Sequence, residues 1–208
     1  MLTLQTAITF FGLALLLGFT PGPDNVFVLM QSATQGRRAG FFVVLGLCTG
    51  LLGHTAAIAL GLAAVFAASA LAFTVLKFVG AAYLAYLAWQ VLRAPVGPLA
   101  FEAQGRSSMK AMVGRGVVMN LTNPKVVFFF LALLPQFVDA TRGPVAWQIV
   151  QLGLIFILST LIAFGTITYF AGAVSGMLKR STRAQRALNW LAGTVFLGLA
   201  LRLGLSER

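Results

Sequence analysis

The sequence predicts an all-α polytopic membrane protein of six transmembrane helices, arranged as an inverted 3+3 repeat with helices one and four broken. Three observations carry that reading. Of 208 residues, 59% are hydrophobic and only 9% are charged, with a mean hydropathy of +0.93; a soluble domain carries roughly 25% charged residues. Several apolar runs reach about 20 residues, the length that crosses a hydrocarbon core of ~30 Å as a helix. Two of those runs are interrupted by proline-bearing segments, Phe19 to Asn25 and Asn120 to Lys125.

Six spans follow from the hydropathy pattern. The first runs from about Leu4 to Met30 and holds the first break. The second covers Gly40 to Phe66 and the third Leu71 to Val91. The fourth, Met112 to Val138, holds the second break; the fifth is Ala146 to Val174 and the sixth Ala187 to Leu203. Met1-Leu2-Thr3-Leu4-Gln5 has no basic n-region, and no small-residue cleavage site follows the first apolar run, so this run is expected to be a retained span. The longest connection, residues 94–110, contains Pro95, Gly97, Pro98, Gly105, Ser107 and Ser108. It reads as a cytoplasmic hinge loop between a first three-span repeat, 1–93, and a second, 111–208, which together form one transmembrane domain.

The net charge of +11 is concentrated on one side. Arg37 and Arg38 lie in the first connection, Arg93, Arg106, Lys110 and Arg115 flank the third, and Lys179, Arg180, Arg183 and Arg186 lie in the fifth. The other side has Arg142, with Arg202 and Arg208 at the tail. The positive-inside rule then makes the odd-numbered connections cytoplasmic and turns both termini outward. Basic residues placed between apolar segments face anionic lipid and do not form a nucleic-acid surface. The single cysteine, Cys48, excludes an internal disulfide, and with a single histidine no metal site is expected. No cofactor is implied.

An odd number of spans per half inserts the halves in opposite directions, and the two breaks resemble each other: Gly18-Phe19-Thr20-Pro21-Gly22 against Asn120-Leu121-Thr122-Asn123-Pro124. Interrupted helices at corresponding positions of two halves point to a transporter binding site. Pro23 lies about 14 residues, roughly 21 Å of helix, from Arg37, and Pro124 about 9 residues, roughly 14 Å, from Arg115. Both breaks therefore fall near the middle of the bilayer, where they can meet.

Asn123 is a good N-cap with Pro124 behind it, and Thr20 or Gly22 can serve similarly before Pro21 or Pro23. The amide-rich, positive ends of the resulting half-helices favour an anion such as a carboxylate. Lys125 adds a full positive charge, while Asp24 can hold an ammonium group or accept a proton. A zwitterionic amino acid matches this set; alternatively, Lys125 and Asp24 neutralise each other as a structural pair. The candidate substrate-binding residues are thus Thr20, Gly22, Pro23, Asp24, Asn25, Asn120, Asn123, Pro124 and Lys125. Asp24 and His54, in the second span, are the candidates for proton coupling; the plainer role for His54 is a hydrogen bond to a neighbouring backbone. Tyr83, Tyr86 and Trp89 read as an interfacial belt. Thr166, Thr168 and Tyr169 either line a polar path or satisfy helix carbonyls.

Thr20-Pro21-Gly22-Pro23-Asp24-Asn25, the glycine-rich second span ending His54-Thr55, Leu76 to Leu84, and NLTNPKVVFFFLALLPQFV from Asn120 to Val138 together resemble the lysine exporter (LysE) superfamily, in its homoserine/threonine-resistance (RhtB) branch. The resemblance spans nearly the whole chain. It implies export of amino acids from the bacterial cytoplasm across the inner membrane, driven by proton antiport, and it allows a homodimer. Pro21, Gly22 and Pro23 match the family's first break, and Asn123, Pro124 and Lys125 its second. The expected partners are an amino-acid substrate, protons and membrane lipid. Rival readings are an exporter of metal or other cations, disfavoured by the lack of a His/Cys/acid cluster, and a non-transporting membrane scaffold.

Overall fold

The structure is a computed structural model that describes residues 1–20, 22–68, 78–79, 81–82, 85–86, 88–90, 92–93, 108–173 and 181–205. The described secondary structure is helical throughout. Helix α1 spans Leu4–Phe19, capped by the Thr3 hydroxyl accepting from the Thr6 amide. Helix α2 spans Pro23–Gln35, and Gly36, at φ 90°, turns the chain directly into α3, Arg37–Ala68. Helix α4 spans Met109–Thr122 behind a Ser108 cap. Helix α5, Pro124–Phe128, continues as a π-helical turn, Phe129–Leu133, and a 3-10 turn, Leu134–Phe137. Pro135 has no N–H to offer Leu131 four residues back, so the regular ladder cannot continue there. Helix α6 spans Val145–Tyr169 and α7 Thr182–Leu205.

Among the described residues, Arg37–Gly61 and Val145–Tyr169 are each long and apolar enough to cross a membrane. Two bent pairs reach the same length: α1 with α2, bent by 62°, and Met109–Thr122 with Pro124–Phe137, bent by 51°. These correspond to spans two, five, one and four of the sequence reading. The expected sixth span lies within α7, whose 24 residues reach about 36 Å. The expected third span, with Lys77 and Tyr83, falls mostly outside the described residues, as does all of the hinge loop before Ser108. Lys110 lies in α4 and not in that loop, because Ser108 starts the helix two residues earlier.

Helix α3 packs against α4 and α6, α1 against α6, and α2 against α3. Exchanging the first half for the second turns the α1–α6 contact into the α4–α3 contact and leaves α3–α6 unchanged. The close approaches repeat the pattern. A Cβ on Gly18 would meet the Ala163 Cβ at 2.8 Å, and one on Gly50 would meet the Asn120 Cβ at 2.7 Å. A Cβ on Gly153 would strike Thr55, and one on Gly40 would reach Thr168. One constant offset carries Gly40 to Gly153, Gly50 to Ala163 and Thr55 to Thr168. The tightest crossing is α3 on α4, where a Cβ on Gly46 would lie 2.2 Å from the Val113 carbonyl oxygen and one on Gly116 would lie 2.4 Å from that of Val43. Only hydrogen at both positions lets the two backbones touch.

Two apolar clusters fill the interior. Phe10, Phe129, Phe130 and Phe156 centre the first, with ring centroids 5.0 to 6.3 Å apart. Val28, Val43, Val44, Leu47 and Phe164 form the second. Beyond the first cluster, the turn from residue 139 to 143 is tied to α6 by the buried Gln148. Its amide oxygen accepts from the Asp139 amide, and its nitrogen donates to the Asp139 and Gly143 carbonyls. The Met1 ammonium donates to the Arg142 carbonyl in the same turn. Hydrogen bonds from the Thr141 hydroxyl and amide, helped by Arg142, hold the exposed Asp139 carboxyl below the usual carboxylate range. At the other end of α6, the Arg37 guanidinium lies 4.1 Å over the Tyr169 ring, joining the start of α3 to the end of α6. Tyr86 and Trp89 are exposed and stacked, with Arg93 over the indole.

Gly46→Leu should destabilise the detergent-purified chain by more than the 1–3 kcal/mol typical of overpacking, since the obstacle is backbone. Gly12→Ala, with open space around it, should change the melting temperature little. Because the Asp139 carboxyl is depressed, the contacts it accepts are present above its ordinary range and are lost only as pH falls through the lowered value. Thr141→Val should move that loss to higher pH, as followed by the Asp139 carboxyl resonance.

Candidate functional site

Each proline in the two breaks removes the donor that a regular helix would offer to the carbonyl four residues earlier. Pro21 withdraws the usual donor from Leu17, Pro23 from Phe19 and Pro124 from Asn120; Leu17 and Asn120 keep only the tighter three-residue bonds from the Thr20 and Asn123 amides, each at 3.2 Å. In hydrocarbon an unmet carbonyl costs several kcal/mol, so the fold must supply donors from elsewhere. Two basic side chains do so. Lys125 Nζ donates to the Leu17 carbonyl at 3.2 Å, the Thr20 carbonyl at 3.0 Å and Asn25 Oδ1 at 3.3 Å. His54 Nε2 lies 3.2 Å from the Asn120 carbonyl; an oxygen there can only accept, so this nitrogen carries the ring proton.

The remaining ends are satisfied locally, and in parallel. The Thr20 hydroxyl donates to the Leu16 carbonyl and the Thr122 hydroxyl to that of Val118, each four residues back. Asn25 Nδ2 donates to the Gly18 carbonyl at 2.6 Å. Asn123 caps α5 by accepting from the Lys125 amide at 3.0 Å, as its sequence position leads one to expect. Thr20 differs from expectation: it closes α1 instead of capping α2, because its hydroxyl reaches back to Leu16, and Gly22 is the N-cap of α2. Gly22 also makes room. A Cβ there would stand 3.1 Å from Lys125 Nζ.

The structure thus brings together Thr20, Gly22, Pro23, Asp24, Asn25, Asn120, Asn123, Pro124 and Lys125, with His54 touching the group through the Asn120 carbonyl. Lys125 and Asp24 are 6% and 2% exposed, yet they form no ion pair; among the described residues the one salt bridge is Arg142 to Asp139. Lys125 instead reaches across to the negative end of the α1 dipole, where a cation is favoured. Asp24 Oδ1, Asn120 Oδ1 and Asn123 Nδ2 are buried and make no hydrogen bond of good geometry, although the Asp24 and Asn123 side chains face each other. A cavity of about 20 Å³ opens between the breaks and the two apolar clusters, bordered by Asp24, Asn120, Lys125, Thr160, Phe156 and Phe164. That is room for one water.

Thr160 and the two phenylalanines escaped the sequence reading. Their signal is the adjacent Ser159-Thr160 pair, polar residues midway along an otherwise apolar span. Thr166 is exposed and bonds the Ile162 carbonyl, Thr168 is buried against Gly40, and Tyr169 is exposed beneath Arg37. These three do not reach the cavity lining.

Apolar helices broken at two mutually contacting points, with a carboxylate and an ammonium buried at the junction, define a multi-pass membrane protein of the transporter type. The chain belongs to the LysE family: the LysE type translocator family matches residues 6–207. It is similar to an uncharacterized membrane protein of Vibrio cholerae, 34% identical over 197 residues (93% of this chain, 94% of that one). It is also similar to the homoserine/homoserine lactone efflux protein of Salmonella typhimurium, 31% identical over 183 residues (88% and 87%). The membrane protein YrhP of Bacillus subtilis is 28% identical over 212 residues, 98% of this chain and all of that one. No solved structure matches.

His54→Leu should leave the Asn120 carbonyl with the Asn123 amide alone and lower stability by about 0.5–1.5 kcal/mol, read as a drop in the melting temperature of the purified chain. Thr166→Val, at an exposed helix carbonyl, should stay within about 0.5 kcal/mol of the parent.

Proposed function

We propose that this translocator is a secondary active exporter of small amino acids, homoserine- and threonine-like, from the bacterial cytoplasm across the inner membrane. Proton antiport drives it, the odd-numbered connections are cytoplasmic and the termini face outward. The observation that carries the reading is the set of unpartnered polar atoms gathered at the two breaks. Asp24 Oδ1 and Asn120 Oδ1 can accept from an ammonium group, and Asn123 Nδ2 can donate to a carboxylate. Together they complement a zwitterion. Buried polar atoms left unmet cost free energy that a ligand recovers on binding.

The cavity has room for one water and not for an amino acid, so loading requires the breaks to part. Broken helices at the junction of two related halves suit an alternating-access cycle around a fixed midplane site. The names of the Salmonella relatives support efflux of homoserine and its lactone as the first substrates to try.

The experiment is release of labelled homoserine from proteoliposomes holding the full-length chain, with and without an inward proton gradient. Gradient-stimulated release supports the exporter; no release of homoserine, threonine, lysine or leucine under any gradient removes it. Asp24→Asn and Asn123→Ala should each reduce flux about tenfold or more, the worth of one charge-assisted contact, while the protein still inserts in the membrane.

A further inference from the structure

We propose that the end of α1, formed by the Leu17 and Thr20 carbonyl oxygens and the Asn25 amide oxygen, is the coupling-ion site of the exporter, and that the ion is a proton held there as the Lys125 ammonium group. The proposal rests on the exporter reading and deepens it.

Three uncharged acceptors converge on one nitrogen. An ammonium group has three N–H bonds, one for each; a neutral amine has two and turns a lone pair toward an oxygen. This arrangement is therefore specific to the protonated side chain. Proton loss breaks one of the ties holding α5 to the end of α1 and sets lone pair against lone pair. No carboxylate lies within salt-bridge reach of Lys125 among the described residues; the nearest acid is Asp24, which shares the cavity lining and acts on it across that space. The titratable groups that face it are few. Helix α1 has none and α6 presents Thr160; α2 presents Asp24, across the cavity, and α3 presents His54, which is turned to the Asn120 carbonyl.

The proton has somewhere to go. The Nζ–H bond breaks with its electron pair left on nitrogen, and the proton passes to a water in the cavity and on to the unpartnered Asp24 Oδ1 or to the cytoplasm. Lys125 then keeps two N–H bonds and gives up one acceptor at the end of α1, which the cargo's ammonium group, facing Asp24 and Asn120, can take with a further N–H. On the outward side, a proton returning to Lys125 restores its claim on the same three oxygens and displaces the cargo. Two cations competing for one set of acceptors produce obligatory exchange, one proton in for one amino acid out, without a separate gate.

Two measurements test this. In proteoliposomes, Lys125→Arg, which keeps the cation but does not give up its proton, should lose homoserine release and the response to a proton gradient together. A persisting gradient response in that variant overturns the proposal. Without substrate, Lys125→Ala should leave the acceptors open to a free monovalent amine. Methylammonium chloride should then raise its melting temperature saturably, sodium chloride at equal ionic strength should not, and the parent chain should respond to neither. Should the alanine variant fail to fold, methylammonium present during purification should restore its yield. No stabilisation and no rescue overturn the cation site. Absence of amino-acid flux in the parent chain removes the exporter reading and the coupling role with it, while the methylammonium result still decides whether the end of α1 is an ammonium site.

Discussion

The bond from Lys125 to the Leu17 carbonyl is the constraint on which the middle of this protein depends. A proline in a membrane helix leaves a carbonyl that lipid cannot satisfy. Here the donor comes from the opposite half of the chain, more than a hundred positions away in sequence. The first break is therefore not a local irregularity. The second break delivers an ammonium group to it, adding to the Thr20 amide that already reaches Leu17, and Gly22 leaves room for that group to approach. His54 adds a second donor at the corresponding carbonyl, Asn120, beside the Asn123 amide. Site geometry is thus set by the same few contacts that tie the two breaks together.

Much of this was legible in the sequence, for identifiable reasons. Prolines, and the carbonyls they orphan, are visible in a one-dimensional string, as are the length of an apolar run and the capping chemistry of Asn123. The meeting of the two breaks was legible from their distances to the flanking arginines. The partner of Lys125 was not. A charge of that sign beside an acid one break away suggests an ion pair, whereas the structure gives its three donors to neutral oxygens at the carbonyl-rich end of α1, where a cation is favoured. Of the two caps open to α2, Thr20 and Gly22, the structure uses Gly22, because in a bilayer a hydroxyl is used where a carbonyl is exposed, and for Thr20 that lies behind it. Thr160 and the phenylalanines around the cavity were hidden because a span facing protein on one side and lipid on the other has weak periodicity.

The relation between the halves is a matter of register as much as of motif. The short resemblance at the breaks is modest, but the helix crossings carry it further: Gly18 on Ala163 and Asn120 on Gly50, Thr55 on Gly153 and Thr168 on Gly40. At each crossing one partner is small and the other half supplies its counterpart. Conserving such a register requires only that small residues recur at the right intervals, which is why the likeness is plain in space and faint in letters.

The two joints differ in one respect with a mechanical consequence. Between α1 and α2 the chain spends Thr20, Pro21 and Gly22; between α4 and α5 it spends Asn123 alone, clamped by its own side chain to the next amide. Torsional slack is therefore unequally shared. The first elbow has a glycine to swivel on, whereas the second is a stiff corner that transmits rotation instead of absorbing it. A carrier assembled from two matching arms would, on this account, pivot chiefly on one of them.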